Sequence, residues 1–241
     1  MRTAWGDPNA AFLGFKAGNN RANHGHLDIG SFIYEVNGVR WAVDLGTDDY
    51  NLPGYFGAQR WDYFRLNTRS HNTLLIGDKN QNPAADCKIV EFKPGFGGLI
   101  NFPRGPILSI PHENMIAGVA VDMTDAYKGQ VERAIRTADM LKVHGSVAIE
   151  DVLEGVTEPV RWGMMTQAEI ELDGKTAILS QKGQKIRLEL DSDQVEKFEI
   201  VPATPPTEAE NQNRGFSILA AFATPKDGRV HIRVVLTPES H

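Results

Sequence analysis

The sequence lacks a second cysteine, a long hydrophobic run and an excess of basic residues. Its one cysteine, Cys87, excludes a disulfide within these 241 residues. No apolar run approaches the roughly 20 residues of a transmembrane helix, and no basic segment followed by an apolar stretch stands at the start. We therefore expect no membrane span and no signal peptide in this chain. The net charge of −6 argues against a nucleic-acid binder, because such proteins usually carry a basic surface.

The acidic excess is unevenly distributed along the chain. Residues 1–80 carry eight basic and eight acidic side chains, so the whole excess lies downstream of them. An anionic ligand near the N-terminal third of the chain would therefore not be repelled.

Amphipathic helices are also scarce, and short strand-like segments dominate instead. Asn-Gly and Asp-Gly pairs at 37–38, 173–174 and 227–228 predict tight hairpin turns. Glu132–Leu141 fits either a helix or a strand with its basic residues pointing outward. These patterns predict an all-β fold, one large antiparallel β-sandwich of stacked sheets over residues 1–241. The strand-like segments are rich in β-branched or aromatic residues, or alternate polar and apolar ones: Ser31–Val36, Thr73–Ile76, Lys88–Phe92, Ile116–Asp122, Val147–Val152, Lys185–Leu190, Phe216–Phe222 and Val230–Leu236.

Two stretches interrupt this strand pattern. Tyr50–Asn72 is rich in aromatic residues, glycine and arginine and resembles a functional loop, whereas Pro202–Asn213 is polar and resembles a surface connection. The chain opens directly on strand-like residues, Met1–Trp5 and then Ala10–Lys16. We therefore expect it to be a piece of a longer protein.

Metal-ligand chemistry is concentrated between residues 23 and 73. His26, Asp44 and His71 together offer two imidazoles and one carboxylate, a set that suits zinc with water or a further ligand completing a tetrahedron. In the alternative interpretation, His24 and His26 only hydrogen-bond backbone carbonyls in a loop.

Four runs of the sequence resemble the heparinase II/III family of polysaccharide lyases. The resemblance is most specific across residues 19–81 and becomes a generic strand pattern after Gln167. The runs are NHGHLDIGSFIYEVNGVRWAVDLGTDDY, RSHNTLLIGDKNQ, ERAIRTADMLKVHGSVAIEDVLEG and VRWGMMT.

The resemblance implies a two-part enzyme in which an N-terminal α/α toroid packs against a β-sandwich, with the active site between them. Such lyases remove the C5 proton of a uronic acid and expel the C4-linked sugar, so the implied substrate is an anionic polysaccharide such as heparin, heparan sulfate or alginate. The implied location is periplasmic or secreted. We expect the toroid, with its principal catalytic tyrosine, to lie outside this chain.

The resemblance also assigns roles to individual residues. Asn23 and His24 match an active-site pair, whose donors suit the substrate carboxylate and the charge that develops beside it. Tyr50 matches a tyrosine that lines the cleft, where it either takes part in proton transfer or only packs in the wall. The metal ligands matched are His26, Asp44 and His71, holding one structural zinc ion.

Further expectations concern the loop and the basic residues around it. If His24 faces substrate and His26 faces metal, Asn20–Leu27 must be a loop rather than a strand, with Gly25 adopting an unusual φ. Basic candidates for binding a carboxylated or sulfated sugar are Arg60, Arg65, Arg69 and Lys79.

Two other classes of protein remain as alternatives. A cupin also carries a His-x-His metal motif, but it requires a glutamate four or five residues later, where Gly30 and Ser31 stand. A non-catalytic carbohydrate-binding module is the other alternative, and metal content would separate it from a zinc-containing lyase domain.

Overall fold

The computed structural model describes residues 1–95 and 115–239, and within these ranges every regular element except two short 3₁₀ helices is a β-strand. The all-β prediction is therefore confirmed. The strands are β1 (Phe12–Phe15), β2 (Gly18–Asn19), β3 (Phe32–Val36), β4 (Val39–Ala42), β5 (Leu74–Ile76), β6 (Asp86–Lys93), β7 (Ile116–Asp122), β8 (Arg133–Leu141), β9 (Val147–Glu154), β10 (Val160–Thr166), β11 (Glu169–Asp173), β12 (Thr176–Gln181), β13 (Gln184–Asp191), β14 (Phe198–Pro202), β15 (Ser217–Ala223) and β16 (Arg229–Pro238).

The strands form three antiparallel sheets that share a buried core. The largest sheet has the order β11-β12-β13-β16-β9-β8-β7-β6-β2, the second β14-β15-β10-β5, and the third β1-β3-β4. Strand β10 is buried along its whole length, so both of its faces contact protein. Strand β16 instead alternates buried and more exposed residues, the pattern of a sheet with one face on the core. The stacked-sheet sandwich expected from the sequence is thus present.

Most local predictions are confirmed, and a few need correction. Asn37 and Gly38 both have positive φ, as a tight hairpin between β3 and β4 requires. Asp173, however, is the last residue of β11, so that turn is formed by Gly174 and the residue after it. The segment Met1–Trp5 is not a strand, because within it only Arg2 forms an isolated bridge, to Phe12.

The ambiguous segment Glu132–Leu141 is strand β8, but its basic residues do not all point outward. Arg133 is exposed, whereas Arg136 is completely buried. The two lie an odd number of residues apart and therefore face opposite sides of the sheet. Burial is possible because the Arg136 guanidinium forms a double hydrogen bond with the Asp151 carboxylate, at 2.7 and 2.8 Å.

Two loops at one end of the sandwich carry the candidate site. Residues 20–31 connect β2 to β3, and residues 43–73 connect β4 to β5 through 3₁₀ helices at Arg60–Asp62 and Thr68–Ser70. The Arg136 guanidinium also joins the two loops, donating to the carbonyls of Gly30 at 2.8 Å and Asn72 at 2.9 Å. A buried ion pair of the large sheet therefore anchors both loops.

Asn72 fixes the end of the second loop to the strands. Its side-chain nitrogen donates to the carbonyls of Phe32 and Val43, and its oxygen accepts from the Met165 amide. Its neighbour His71 is thereby held at the edge of the core. No helix in the described ranges is both long and apolar enough to cross a membrane.

Candidate metal centre and active site

His26, Asp44 and His71 form a compact cluster, although they come from three separate places in the sequence. His26 lies in the first loop, Asp44 follows β4 at the start of the second loop, and His71 follows the second 3₁₀ helix. One ligand atom from each residue lies within 4.8 Å of the others. Nδ1 of His71 is 3.0 Å from Oδ2 of Asp44, and the centroids of the two imidazole rings are 5.2 Å apart.

The cluster fits a zinc ion. Two imidazoles and one carboxylate are a common zinc donor set, with a fourth position open to water. Nε2 of His71 is buried and has no hydrogen-bond partner among the described residues. Nδ1 of the same ring faces the Asp44 carboxylate, and it is the nitrogen that would bind a metal ion shared with that carboxylate. The residues present therefore suit the metal that the sequence predicts.

Burial and mutual contact set the charges of the cluster. Burial, reinforced by the neighbouring His71, lowers the pKa of His26 to about 4, which keeps it neutral and able to bind a metal. Burial alone would raise the pKa of Asp44, but the hydrogen bond and charge of His71 outweigh it and hold that pKa well below its usual range. Burial would lower the pKa of His71, but the Asp44 carboxylate raises it overall.

The backbone turns sharply between His24 and His26. Residues 20–27 contain no strand, as expected, but the unusual φ falls on His24, at 58°, and not on Gly25. Gly25 is required for a different reason, since a Cβ there would lie 2.8 Å from the carbonyl oxygen of Ala22 and 3.0 Å from that of Asn20. As a result His24 is exposed while His26 is buried, so one imidazole faces solvent and the other faces the candidate metal cluster.

His24 forms part of an exposed aromatic surface. Its ring lies against Tyr50, with centroids 6.1 Å apart and planes 20° apart, and Phe56 meets both rings edge-on. Tyr50 is 48% exposed and Phe56 60% exposed, and Asn23 is exposed beside His24. We call Asn23, His24, Tyr50 and Phe56 the His24 surface. Phe56 was missed from sequence, where the aromatic richness of residues 50–72 was its only signal.

Arg60 supports the His24 surface through hydrogen bonds to the backbone of both loops. Its guanidinium donates to the Gly25 carbonyl at 2.8 Å and to the Tyr55 carbonyl at 3.0 Å. It also lies over the rings of Tyr55 and Trp61, at 5.3 and 5.1 Å from their centroids. Arg60, which the sequence suggested for substrate binding, therefore connects the two loops.

Arg65 and Arg69 lie farther along the second loop and have protein partners, whereas Lys79 follows β5. Arg65 donates to Asn213 at 2.8 Å and to the Thr47 carbonyl at 2.9 Å, which ties the loop to the connection after β14. Arg69 forms a double hydrogen bond with the Asp78 carboxylate. Lys79 is exposed. The structure thus joins Arg60 to the His24 surface and gives the other two arginines different contacts.

The fold and the site define a class, an antiparallel β-sandwich that carries a candidate metal centre beside an exposed Asn-His pair. Within that class the chain belongs to the heparinase II/III-like, C-terminal family, whose model matches residues 4–236. This membership confirms the family expected from the sequence and excludes the cupin alternative. A search of curated proteins gave no match.

Solved structures with similar folds are named as heparinases. The heparinase III-BT4657 gene product has a TM-score of 0.74 and 19% identity, with 100% of this chain covering 34% of that one. A heparan sulfate lyase HepC mutant from Pedobacter heparinus has a TM-score of 0.72 and 14% identity, with 100% of this chain covering 35% of that one. A further heparinase III has a TM-score of 0.70 and 15% identity, with 99% covering 35%. This chain thus spans about a third of the length of the structures it resembles. At identities this low, the similarity shows a shared fold and nothing more.

Proposed function

We propose that this chain is the β-sandwich half of a polysaccharide lyase that cleaves a uronic-acid-containing polysaccharide by β-elimination. The observation that carries the proposal is the family membership of the chain, together with the exposure of Asn23 and His24, which match the active-site pair in the sequence resemblance, on the aromatic surface beside the candidate metal cluster. Heparan sulfate is the first substrate to offer, because similar structures are named heparinase III and heparan sulfate lyase. Alginate is the second.

The chemistry requires neutralisation of the uronate carboxylate next to the C5 carbon. Charge develops there as the proton leaves, and preorganised donors stabilise it best. The Asn23 amide and the His24 imidazole are exposed donors on one turn, and Arg60 holds that turn through the Gly25 carbonyl. Tyr50 lies against His24 and lines the same surface, where its phenol can contact the reacting sugar.

In this proposal His26, Asp44 and His71 hold one zinc ion. A zinc ion there would supply structural cross-linking rather than Lewis-acid chemistry, because it would join the two loops below the His24 turn. The three ligand residues thereby fix the orientation of Asn23 and His24, while His24 itself faces outward.

The second wall of the active site would come from an N-terminal α/α toroid. The chain spans about a third of the structures that it resembles, which supports a companion domain. That domain would supply the principal tyrosine for proton transfer, leaving Arg60, Arg65 and Arg69 as candidate contacts to the anionic polymer from this side. A polymer-degrading enzyme of this kind would act in the periplasm or outside the cell.

The test uses the full-length enzyme with heparan sulfate and alginate offered separately. The readout is ultraviolet absorbance of the unsaturated uronate product. His24→Ala should lower turnover by about 10²–10³, the usual effect of losing one such donor, while zinc content stays unchanged. His231→Ala is the matched control, because His231 is an exposed histidine paired with Glu150 on the large sheet. Full activity of His24→Ala would overturn the assigned role.

The isolated 241-residue chain tests the division of labour. It should have negligible lyase activity, because half a cleft positions the reacting groups poorly. Robust turnover by this chain alone would show that the toroid is dispensable, and loss of that turnover in Tyr50→Phe would then identify Tyr50 as the general base.

A non-catalytic carbohydrate-binding module is the second candidate function. The exposed rings of Tyr50 and Phe56 favour it, since exposed aromatic faces also bind sugars without chemistry. A full-length protein that binds heparan sulfate and yields no unsaturated product would support this candidate over the lyase.

A further inference from the structure

A pocket of about 590 Å³ opens beside the first loop, outside the His24 surface. Its lining includes Leu27, the residue after the metal-ligand candidate His26, together with Trp61 of the second loop and side chains from the segments between β5 and β6 and between β7 and β8. The residues that decide its chemistry are Trp61, Asn80, Gln81, Asn82, Lys128 and Gln130.

The lining offers an indole, four carboxamides and one ammonium group, and it contains no carboxylate. Carboxamides can donate and accept at once, which matches the hydroxyl and amide groups of a sugar. An indole gives a flat apolar face, and an ammonium pairs with an acidic substituent. We propose that this pocket is a subsite for a sugar unit of an acidic polysaccharide, with Trp61 against the sugar ring and Lys128 pairing with its carboxylate or sulfate. The inference rests on the proposed function, because it takes the ligand from the same polymer.

The polar groups of the pocket are held in place before any ligand arrives. Asn80 donates to the Trp61 carbonyl at 3.1 Å, and Gln130 donates to the Asn80 carbonyl at 2.9 Å. Gln81 is almost completely buried and bonds to the backbone of Ile29 through both ends of its amide. Preorganised groups lose less entropy on binding a ligand.

Two groups of the pocket retain unused binding capacity. The amide oxygen of Gln130 has no hydrogen-bond partner among the described residues, although the nitrogen of the same amide is anchored. A turn of that side chain toward the pocket would let the oxygen accept a sugar hydroxyl. Lys128 is exposed and has no ion-pair partner in the described ranges.

The pocket is contiguous with the His24 surface. The guanidinium carbon of Arg60 lies 5.7 Å from the Phe56 ring centroid and 5.1 Å from that of Trp61. One guanidinium therefore separates the exposed ring of the His24 surface from the aromatic wall of the pocket. A polymer lying over His24 can continue past Arg60 into the pocket, so that its neighbouring sugar unit is bound there.

Tryptophan fluorescence gives a direct test on the 241-residue chain. Of its four tryptophans, Trp41 and Trp162 are buried and Trp5 is 85% exposed. In a Trp5→Phe background, Trp61 is the remaining tryptophan that a ligand can reach. A heparan sulfate hexasaccharide should change its fluorescence with saturation, whereas a disaccharide should do so only at far higher concentration. An unchanged signal at saturating hexasaccharide would overturn the subsite.

Variants identify the contacts and separate this inference from the proposed function. By calorimetry, Trp61→Ala and Lys128→Ala should each weaken hexasaccharide binding about tenfold. The controls are Trp5→Ala and Lys226→Ala, which remove an exposed indole and an exposed charge elsewhere, and they should leave binding unchanged. Wild-type affinity in both pocket variants would refute the subsite. In the full-length enzyme, lyase activity with an unaltered KM for long chains in both Trp61→Ala and Lys128→Ala would refute the subsite and leave the proposed function intact. Trp61-dependent binding without any lyase activity would refute the proposed function alone.

Discussion

His71 contacts Asp44 through Nδ1 at 3.0 Å, while Nε2 on the other side of the same ring is buried and has no partner within residues 1–95 and 115–239. A distance of this length fits a hydrogen bond, and it also fits two atoms that share one metal ion. His26 is neutral and Asp44 is anionic, as a zinc site needs, whereas Asp44 raises the pKa of His71, so that a proton on His71 would have to leave when the metal binds.

Metal binding should therefore depend on each of the three residues. His26→Ala and His71→Ala should each abolish stoichiometric zinc, measured by elemental analysis of the purified chain. Their melting temperature should fall by roughly 5 °C or more, since each kcal/mol shifts Tm by about 2–4 °C in a domain of this size. Hydrogen exchange should rise across residues 20–27, because the metal would pin that loop.

The exposed His231 provides the control for this experiment. His231→Ala should keep the zinc content and the exchange pattern of residues 20–27. A wild-type chain that folds without metal, or His26→Ala with unchanged metal content, would contradict the assignment.

Asn72 should contribute more to the free energy of unfolding than an exposed asparagine does. Asn72→Ala leaves the Met165 amide and the carbonyls of Phe32 and Val43 without their partner in the core. We expect the free energy of unfolding to fall by about 2–4 kcal/mol, since each unsatisfied buried group costs about 1–3 kcal/mol. Urea titration measures this. Asn51→Ala, which removes an exposed asparagine bonded to Asp49, should change stability by less than about 0.5 kcal/mol.

The sequence predicted the sandwich and the residues of the candidate metal cluster because both predictions depend on short stretches of sequence. Alternating strands such as β13 and β16 show their buried face in every second residue. The Asn-His-x-His motif is a contiguous run, and the resemblance that it carries extended to Asp44 and His71. The structure brings the side chains of His26, Asp44 and His71 together in one cluster, whose role as zinc ligands stays a prediction.

The features that the sequence did not predict depend on partners far apart in the chain. Arg136 contacts the carbonyls of Gly30 and Asn72, which lie 106 and 64 residues away, so its burial could not be inferred from the pattern of β8. The positive φ of His24 was assigned to Gly25 because glycine is the usual residue there. Only the packed loop reveals that the Ala22 and Asn20 carbonyls require Gly25 for space.

Asp139 should make stability depend on pH. Burial raises the pKa of its carboxyl, and its Oδ1 has no partner among the described residues. Because the folded-state pKa lies above the unfolded value, the folded state holds the proton more tightly. This contribution to stability is present below the unfolded pKa and is lost as pH rises through the folded pKa.

Asp139→Asn should therefore raise the urea midpoint at pH 7, and the gain should disappear as the pH falls below the unfolded pKa of about 3.9. Glu171→Gln on exposed β11 is the charge-matched control and should show no such pH-dependent gain. An equal effect of Asp139→Asn at neutral and acid pH would contradict the electrostatic explanation.

Gly25 should control the geometry of the His24 turn without controlling the metal. In Gly25→Ala the new methyl group would meet two backbone carbonyls, and neither can rotate away as a side chain would. The turn must shift, and the hydrogen bond from Arg60 to the Gly25 carbonyl must lengthen or break. We expect full-length enzyme with this substitution to retain zinc and lose at least about tenfold in turnover, because misplacement by 1 Å can cost about 10²-fold.

Gly57→Ala in the second loop is the control, since a Cβ there meets its nearest atom, the Gly54 carbonyl oxygen, at an ordinary 3.6 Å. Wild-type turnover in Gly25→Ala would show that the position of His24 does not limit the reaction.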